Sequence, residues 1–453
     1  MGGAVVLLGA LGAQNPVWFI FTFAIATFGL IVAFPEVSLV AVLFTKPLID
    51  VFWFLKATGP FGVEYNLQSV VGVAVSFGFG TALLVRRWKP QLTILNVIAV
   101  IYAMITLIGL IRAPEKQQAV QDALRFISPL FLFCAAQYAA ERKVNLLLIA
   151  FALSVYSFVP LCMALGQSAG LLTPPEQSVA STESLLRVTG IYHHPLDIGW
   201  RASAALPFGA LVARELTSGS SAMTMWYWTS VSAIVAVCSF VRSAILVTGA
   251  QLFVMLWQNK RRTFALAALP LGMFLLLLLP PVRTAINDAV RPLAEGKVYE
   301  VGTGRAMLFV AQVRAFADAT VSQKVLGRGI HSSASVSNDY SPVPSVALGL
   351  TETVEGNMGA HNQFLRAVTE TGVIGLLCTV AIFLAAFGMF HERGREDALE
   401  GRFARASQTL VVGIAVYALV GQPLDFPVLS WPLWVCLGLC QRVRSDSAGS
   451  LCK

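Results

Sequence analysis

A histidine and an asparagine stand side by side at the head of an apolar run. Nine residues separate His361-Asn362 from the Gly372-x-x-Gly375 pair. Imidazole titrates near neutrality. His361 can therefore take a proton from a hydroxyl, donate a hydrogen bond to a phosphate or ligate a metal. No HxxxH or HxxE pair surrounds it, so the metal role has the least support. Arg242 splits two apolar stretches in "SFVRS", and Arg305 follows a glycine turn in "GTGR". "RVTGIYHHPLDIGWR" supplies Arg187, His193, His194, Asp197 and Arg201. Guanidinium groups bind phosphate oxygens in pairs, so the set suits a phosphate-bearing substrate.

Each residue also has a plainer reading. Arg242 can be an interfacial arginine whose stem lies along lipid. Arg305 can be an ordinary loop cation, and either of His193 and His194 can be interfacial. Arg201, two residues past Gly199 inside an apolar run, points into a cavity or snorkels. Within one uninterrupted span, Arg242 would cost at least ~2.5 kcal/mol. A hairpin at the membrane surface is cheaper. Ser243 would then cap the returning helix, whose free N–H groups favour an anion.

The elements that must position these residues are membrane spans. The chain has 453 residues, 56% of them hydrophobic and only 12% charged, with a mean hydropathy of +0.72. Apolar runs of about 17–22 residues recur, long enough to cross a bilayer as helices. They fall near 17–34, 36–55, 68–85, 92–111, 124–140, 144–165, 196–213, 225–240, 243–258, 263–281, 372–390, 406–422 and 429–441. Lys46, Pro47 and Asp50 interrupt the second, so the expectation is an all-α polytopic membrane protein of about twelve spans. The net charge of +8 sits largely in short loops, and no nucleic-acid partner is expected. Six of the seven cysteines lie in apolar runs and read as small buried hydrophobes.

The basic segments at 86–89, 141–143, 259–262, 391–405 and 441–444 mark the cytoplasmic side. Residues 166–195, 239–243 and 283–371 then face the other way. The division is N-terminal spans over 1–282, one large loop over 283–371, and C-terminal spans with a tail over 372–453. "GRAMLFVAQVRAFADA" has helical apolar spacing and suits a helix along the membrane surface. Arg187, His193, His194, Arg242, Arg305, His331 and His361 all gather on that second face.

The pattern H-N-x9-G-x-x-G resembles the signature of the bacterial O-antigen ligase and O-antigen polymerase superfamily. "SFVRS" is similar to that family's break between two spans. "GTGR…LFVAQVRAFAD…VLGRGIH" is similar to its loop helix and following G-x-G turn. "RVTGIYHHPLDIGW" is similar to its R-x-x-G-x-x-x-x-P element, with Leu196 where many members carry Asn. The similarity covers roughly residues 185–441.

The resemblance implies an all-helical fold of the C-type membrane glycosyltransferase kind in the bacterial inner membrane, with its active site facing the periplasm. It implies transfer of a glycan from undecaprenyl pyrophosphate to a sugar of the lipid A–core, without metal or cofactor. The expected assignments are His361 as base or phosphate contact, Arg242 and Arg305 as catalytic cations, and Arg187, His194, Arg201 and Asn362 as substrate contacts. The residues also allow a repeat-unit polymerase with the same donor chemistry, or a flippase for lipid-linked sugars.

Overall fold

A computed structural model describes residues 16–51, 56–58, 64–90, 93–155, 158–172, 195–239, 241–259, 305–341 and 360–442, with a few positions between 263 and 296. Among these residues the chain is helical apart from one small hairpin, in which Lys56–Thr58 (β1) pairs antiparallel with Glu64–Asn66 (β2). The first helices are α1 (Pro16–Ala33), α2 (Pro35–Val51), α3 (Leu67–Val85), α4 (Ile94–Arg112) and α5 (Lys116–Glu141). α6 (Leu146–Ser154) and α7 (Phe158–Ser168) divide the single run expected over 144–165. Pro160 falls in the first turn of α7, where its missing N–H costs nothing and its ring prevents an unbroken helix.

Next come α8 (Pro195–Glu215), α9 (Gly219–Cys238) and α10 (Arg242–Gln258). Three short helices follow, α11 (Arg305–Ala317), α12 (Val321–Leu326) and α13 (Ser332–Asp339). The chain closes with α14 (Gln363–Arg393), α15 (Leu399–Ala418) and α16 (Pro427–Arg442). The run expected over 263–281 lies almost wholly outside the described residues.

Among the described residues, four helices, α4, α5, α9 and α14, are long and apolar enough to cross a membrane, and stretches of α1, α3 and α16 are shorter apolar helices. They carry a multi-pass, membrane-embedded architecture. Outward faces are greasy: Leu84, Ile94, Ile111 and Leu384 are all exposed, the inverse of a water-facing surface. The interior is close-packed around Phe133, Trp200, Phe208, Trp431 and Trp434. On α8, Ala202, Ala205 and Ala210 are buried and let α9 approach closely. α16 packs along α5, with the Phe133 and Trp434 rings edge to face at 5.5 Å.

Two polar ends frame this core. At one, the amides of Asn96, Gln137 and Gln441 interlock α4, α5 and α16, with Gln137 Nε2 donating to Asn96 Oδ1 at 2.9 Å and Gln441 Nε2 donating to the same oxygen at 2.8 Å. Trp88 Nε1 donates to Glu141 Oε2 at 3.0 Å, and Arg393 and Glu396 act electrostatically on Cys440. The described parts of four basic segments, 86–89, 141–143, 391–405 and 441–442, therefore share one end of the bundle.

The helix α14 begins at Gln363, because Asn362 caps it, and it kinks at Gly372 (φ 72°, ψ −170°), next to the division drawn at 371. The nine residues 363–371 before the kink are helical.

Candidate functional site

The opposite end holds the site. α8, α10, α11 and α14 begin at Pro195, Arg242, Arg305 and Gln363, so the residues of interest sit at helix starts, where unpaired N–H groups favour negative charge. A chain of contacts joins these starts. Trp200 Nε1 donates to Ser243 Oγ at 3.5 Å, and the Trp200 ring lies 4.2 Å from that of Tyr417 and 4.9 Å from that of Phe426. Arg305 and Asp197 both act electrostatically on the Tyr417 hydroxyl. Arg305 acts in the same way on His361. Trp200, Ser243, Tyr417 and Phe426 thus pack together, with Arg305 within electrostatic reach of both Tyr417 and His361.

His361 carries the most unusual local conformation. Its φ is +46°, a region that side-chain-bearing residues seldom occupy. Burial among its neighbours, then the Arg305 guanidinium, lower its pKa to about 4, although one side of the residue is open to solvent. The imidazole is neutral at pH 7 and has a lone pair to offer.

Arg242 and Arg305 stand where the sequence puts them, each as the first residue of a helix and each half-buried. The hairpin expectation at Arg242 agrees with the separate helices α9 and α10. The capping expectation does not: Val241 occupies the N-cap, and buried Ser243 turns inward to Trp200.

Asn362 departs from its expected substrate contact. Its Oδ1 accepts from the backbone N–H of Phe364 and of Leu365, each at 2.9 Å, and its Nδ2 donates to Leu419 O at 2.8 Å. The side chain is committed to capping α14 and tying it to the end of α15. Arg201 neither snorkels nor lines an open cavity. It is buried, and its Nη2 contacts Asp50 Oδ2 at 2.5 Å. Asp50 also pairs with Lys46, whose ammonium lies 5.2 Å from the Trp431 ring centre. This triad explains how the polar residues of α2 are housed: they pair inside the bundle. Arg187, His193 and His194 lie outside the described residues.

Sequence reasoning missed a second cluster behind His361. Buried Arg366 is surrounded by three carboxylates: Nη2 reaches Asp122 Oδ2 at 2.9 Å, Nε reaches Glu370 Oε2 at 3.0 Å, and Nη1 pairs with Asp425. Ser333 Oγ donates to Glu370 Oε1 at 2.6 Å. His331 Nδ1 lies 3.0 Å from Asp122 Oδ2, a bond that raises the His331 pKa. The usable signal was the i, i+4 pair of Arg366 and Glu370 on one face beside an apolar run.

A backbone clasp fastens this cluster. Arg328 N–H donates to Thr369 O at 2.8 Å and Gly329 N–H to Glu370 O at 3.0 Å. Gly327 (φ 77°) and Gly372 face each other so closely that a Cβ on Gly372 would lie 2.2 Å from Val325 O. The G-R-G turn and the first glycine of G-x-x-G are thus two halves of one contact. It holds the segment from α11 to α13 on α14.

The arrangement can bind an anion between arginines at helix starts and can hold a neutral imidazole beside it. Among the described residues, no three His, Cys, Asp or Glu side chains gather as a metal site. No protein-family model matches the chain, and no curated protein matches it.

Proposed function

We propose that this chain is a membrane glycosyltransferase of the O-antigen ligase and polymerase superfamily, acting as a ligase at the periplasmic face of the bacterial inner membrane. On this reading the donor is a glycan on undecaprenyl pyrophosphate and the acceptor is a sugar of the lipid A–core. About twelve spans in a C-type arrangement would hold the polyprenyl tail in a lateral groove.

The observation that carries the reading is Arg305 acting on His361 at an end of the bundle where four helices begin. In the proposed reaction the acceptor oxygen attacks the anomeric carbon as its proton passes to His361. The bond from that carbon to the diphosphate oxygen breaks, and undecaprenyl pyrophosphate departs. Arg242, Arg305 and, on the resemblance, Arg187 would stabilise the charge on the leaving group. The smaller of the two effects that lower the His361 pKa, the charge of Arg305, would be offset by the donor's negative charge. Donor binding would therefore strengthen the base at the moment it is needed.

The test is a reaction of the purified, detergent-solubilised protein with one defined lipid-linked glycan, offering lipid A–core and a second lipid-linked repeat unit separately. Mass spectrometry should find the glycan joined to lipid A–core. Product on the repeat unit alone makes the chain a polymerase. Translocation in vesicles without covalent product makes it a flippase and rejects transfer.

A further inference from the structure

His361 is bracketed. In one orientation of the Gln422 amide, Arg366 Nη1 donates to its oxygen at 3.3 Å; in the other, which satisfies two neighbours, its oxygen accepts from Ala360 N–H at 3.2 Å and its nitrogen donates to Asp425 Oδ2 at 3.1 Å. On the other side of His361, Asn362 Nδ2 donates to Leu419 O at 2.8 Å. One residue further, Gln363 Oε1 accepts from Leu424 N–H at 3.2 Å. Three bonds therefore pin residues 360, 362 and 363 to the turn at 419–424, and His361 alone in this stretch is left to project. A backbone held at positive φ persists only where its surroundings over-determine it, and these bonds supply the constraint.

The turn itself is anchored from beneath. Asp425, the partner of the Gln422 amide nitrogen, is buried and paired with Arg366, which Asp122 and Glu370 hold in turn. A line of contacts runs from the charge cluster through Asp425 and Gln422 to the peptide preceding His361. Tyr417, one turn earlier on α15, hydrogen-bonds to the Gln422 backbone and feels Arg305. The turn thus touches both the residue that carries the imidazole and the surroundings of the guanidinium beside it.

We propose that Gln422 is a positioning residue: its amide, clamped between Ala360 and Asp425, fixes the direction in which His361 presents its ring to the substrate. The consequence for transfer rests on His361 acting as proposed above; the clamp itself does not. Gln422 touches no reacting atom. It acts through the Ala360 peptide. Its loss should lower kcat while leaving the donor KM, which depends on the arginines, nearly unchanged. Misplacing a reacting group by about 1 Å costs on the order of 100-fold in rate.

The experiment compares the full-length wild type with Gln422→Met, which keeps the side-chain length and removes both bonds. Gln422→Asn is the second variant; it keeps the amide but shortens it by one methylene, so that it cannot reach Ala360 and Asp425 together. The first readout needs no activity. The His361 ring is followed by NMR titration of 15N-histidine-labelled protein in detergent, resolved against a His361→Gln sample. In Gln422→Met the His361 pKa should move up from about 4 toward its ordinary value, as the ring leaves its crowded place beside Arg305. The charged group that acts on that ring from a neighbouring element, Arg305, is unaltered. The second readout is transfer: kcat should fall about 10- to 100-fold with donor KM within about twofold.

A His361 titration identical to wild type in Gln422→Met, with unchanged kcat, overturns the proposal. If Gln422→Met fails to fold, Gln422→Asn decides by the same two readouts. If the wild type transfers nothing, the functional reading fails, and the titration shift still decides whether the clamp exists.

Discussion

Gly372→Ala should unseat the loop segment from the membrane helices, and its cost can be worked from two features. Gly372 sits at φ 72° and ψ −170°, a region open in practice only to glycine, where a side chain costs roughly 1–3 kcal/mol. The new Cβ would also lie 2.2 Å from Val325 O and 2.6 Å from Gly327 N. Both are backbone atoms, so no rotamer change relieves the contact. Strain and clash together place the loss at about 3 kcal/mol or more. Gly388, on the same helix, has nothing within 4 Å of its would-be Cβ. Alanine there should be neutral or stabilise by ~0.5–1 kcal/mol. Thermal melts of both variants in one detergent measure the contrast. At roughly 2 °C per kcal/mol for a chain of this size, Gly372→Ala should melt about 6 °C or more below wild type, and Gly388→Ala at or above it. Protease nicking within 305–341 should rise in the first variant alone. Equal melting of the two would refute the claim that Gly372 and Gly327 form one contact.

Three further predictions follow from the charged groups. His361→Ala should abolish transfer with the protein still inserted, and Arg305→Lys, which keeps charge but loses the paired N–H fork, should lower kcat/KM about 10- to 100-fold in a purified assay. The His331 pKa is raised by its bond to Asp122, so the stability it contributes is fully present below about pH 6.5 and is lost as pH rises through the folded-state pKa. Melting temperatures from pH 5.5 to 9 should fall more steeply for wild type than for Asp122→Asn, and parallel curves would dismiss the bond. Asp50→Asn should remove the buried carboxylate that Lys46 and Arg201 share, at a cost of up to about 3–5 kcal/mol. Recovery of folded, monodisperse protein by size-exclusion chromatography should drop sharply.

The parts of the fold that follow local rules were legible. The break at 239–242 was readable because an arginine deep in a span is expensive, and the structure starts a helix there. The start of α11 was readable from the glycine turn before Arg305. Asn362 misled because its residue type suits both a ligand contact and a helix cap, and only the positions of the Phe364 and Leu365 amides distinguish them. Arg201 misled for the converse reason. Its partner, Asp50, lies 151 positions earlier, beyond any local pattern. The cluster around Arg366 stayed hidden because only Glu370 is near it in sequence, while Asp122 lies 244 positions earlier and Asp425 lies beyond α15.

The pairing of Asp50 with Arg201 bears on how the chain is made. α2 leaves the ribosome carrying a lysine and an aspartate inside an apolar stretch. They offset each other in part, but the third member of their group is synthesised only after five more helices. Until α8 arrives, α2 has no settled home among its neighbours and must wait at the edge of the lipid. The group is therefore complete only near the middle of translation, when α8 brings Arg201 to the carboxylate that Lys46 already holds.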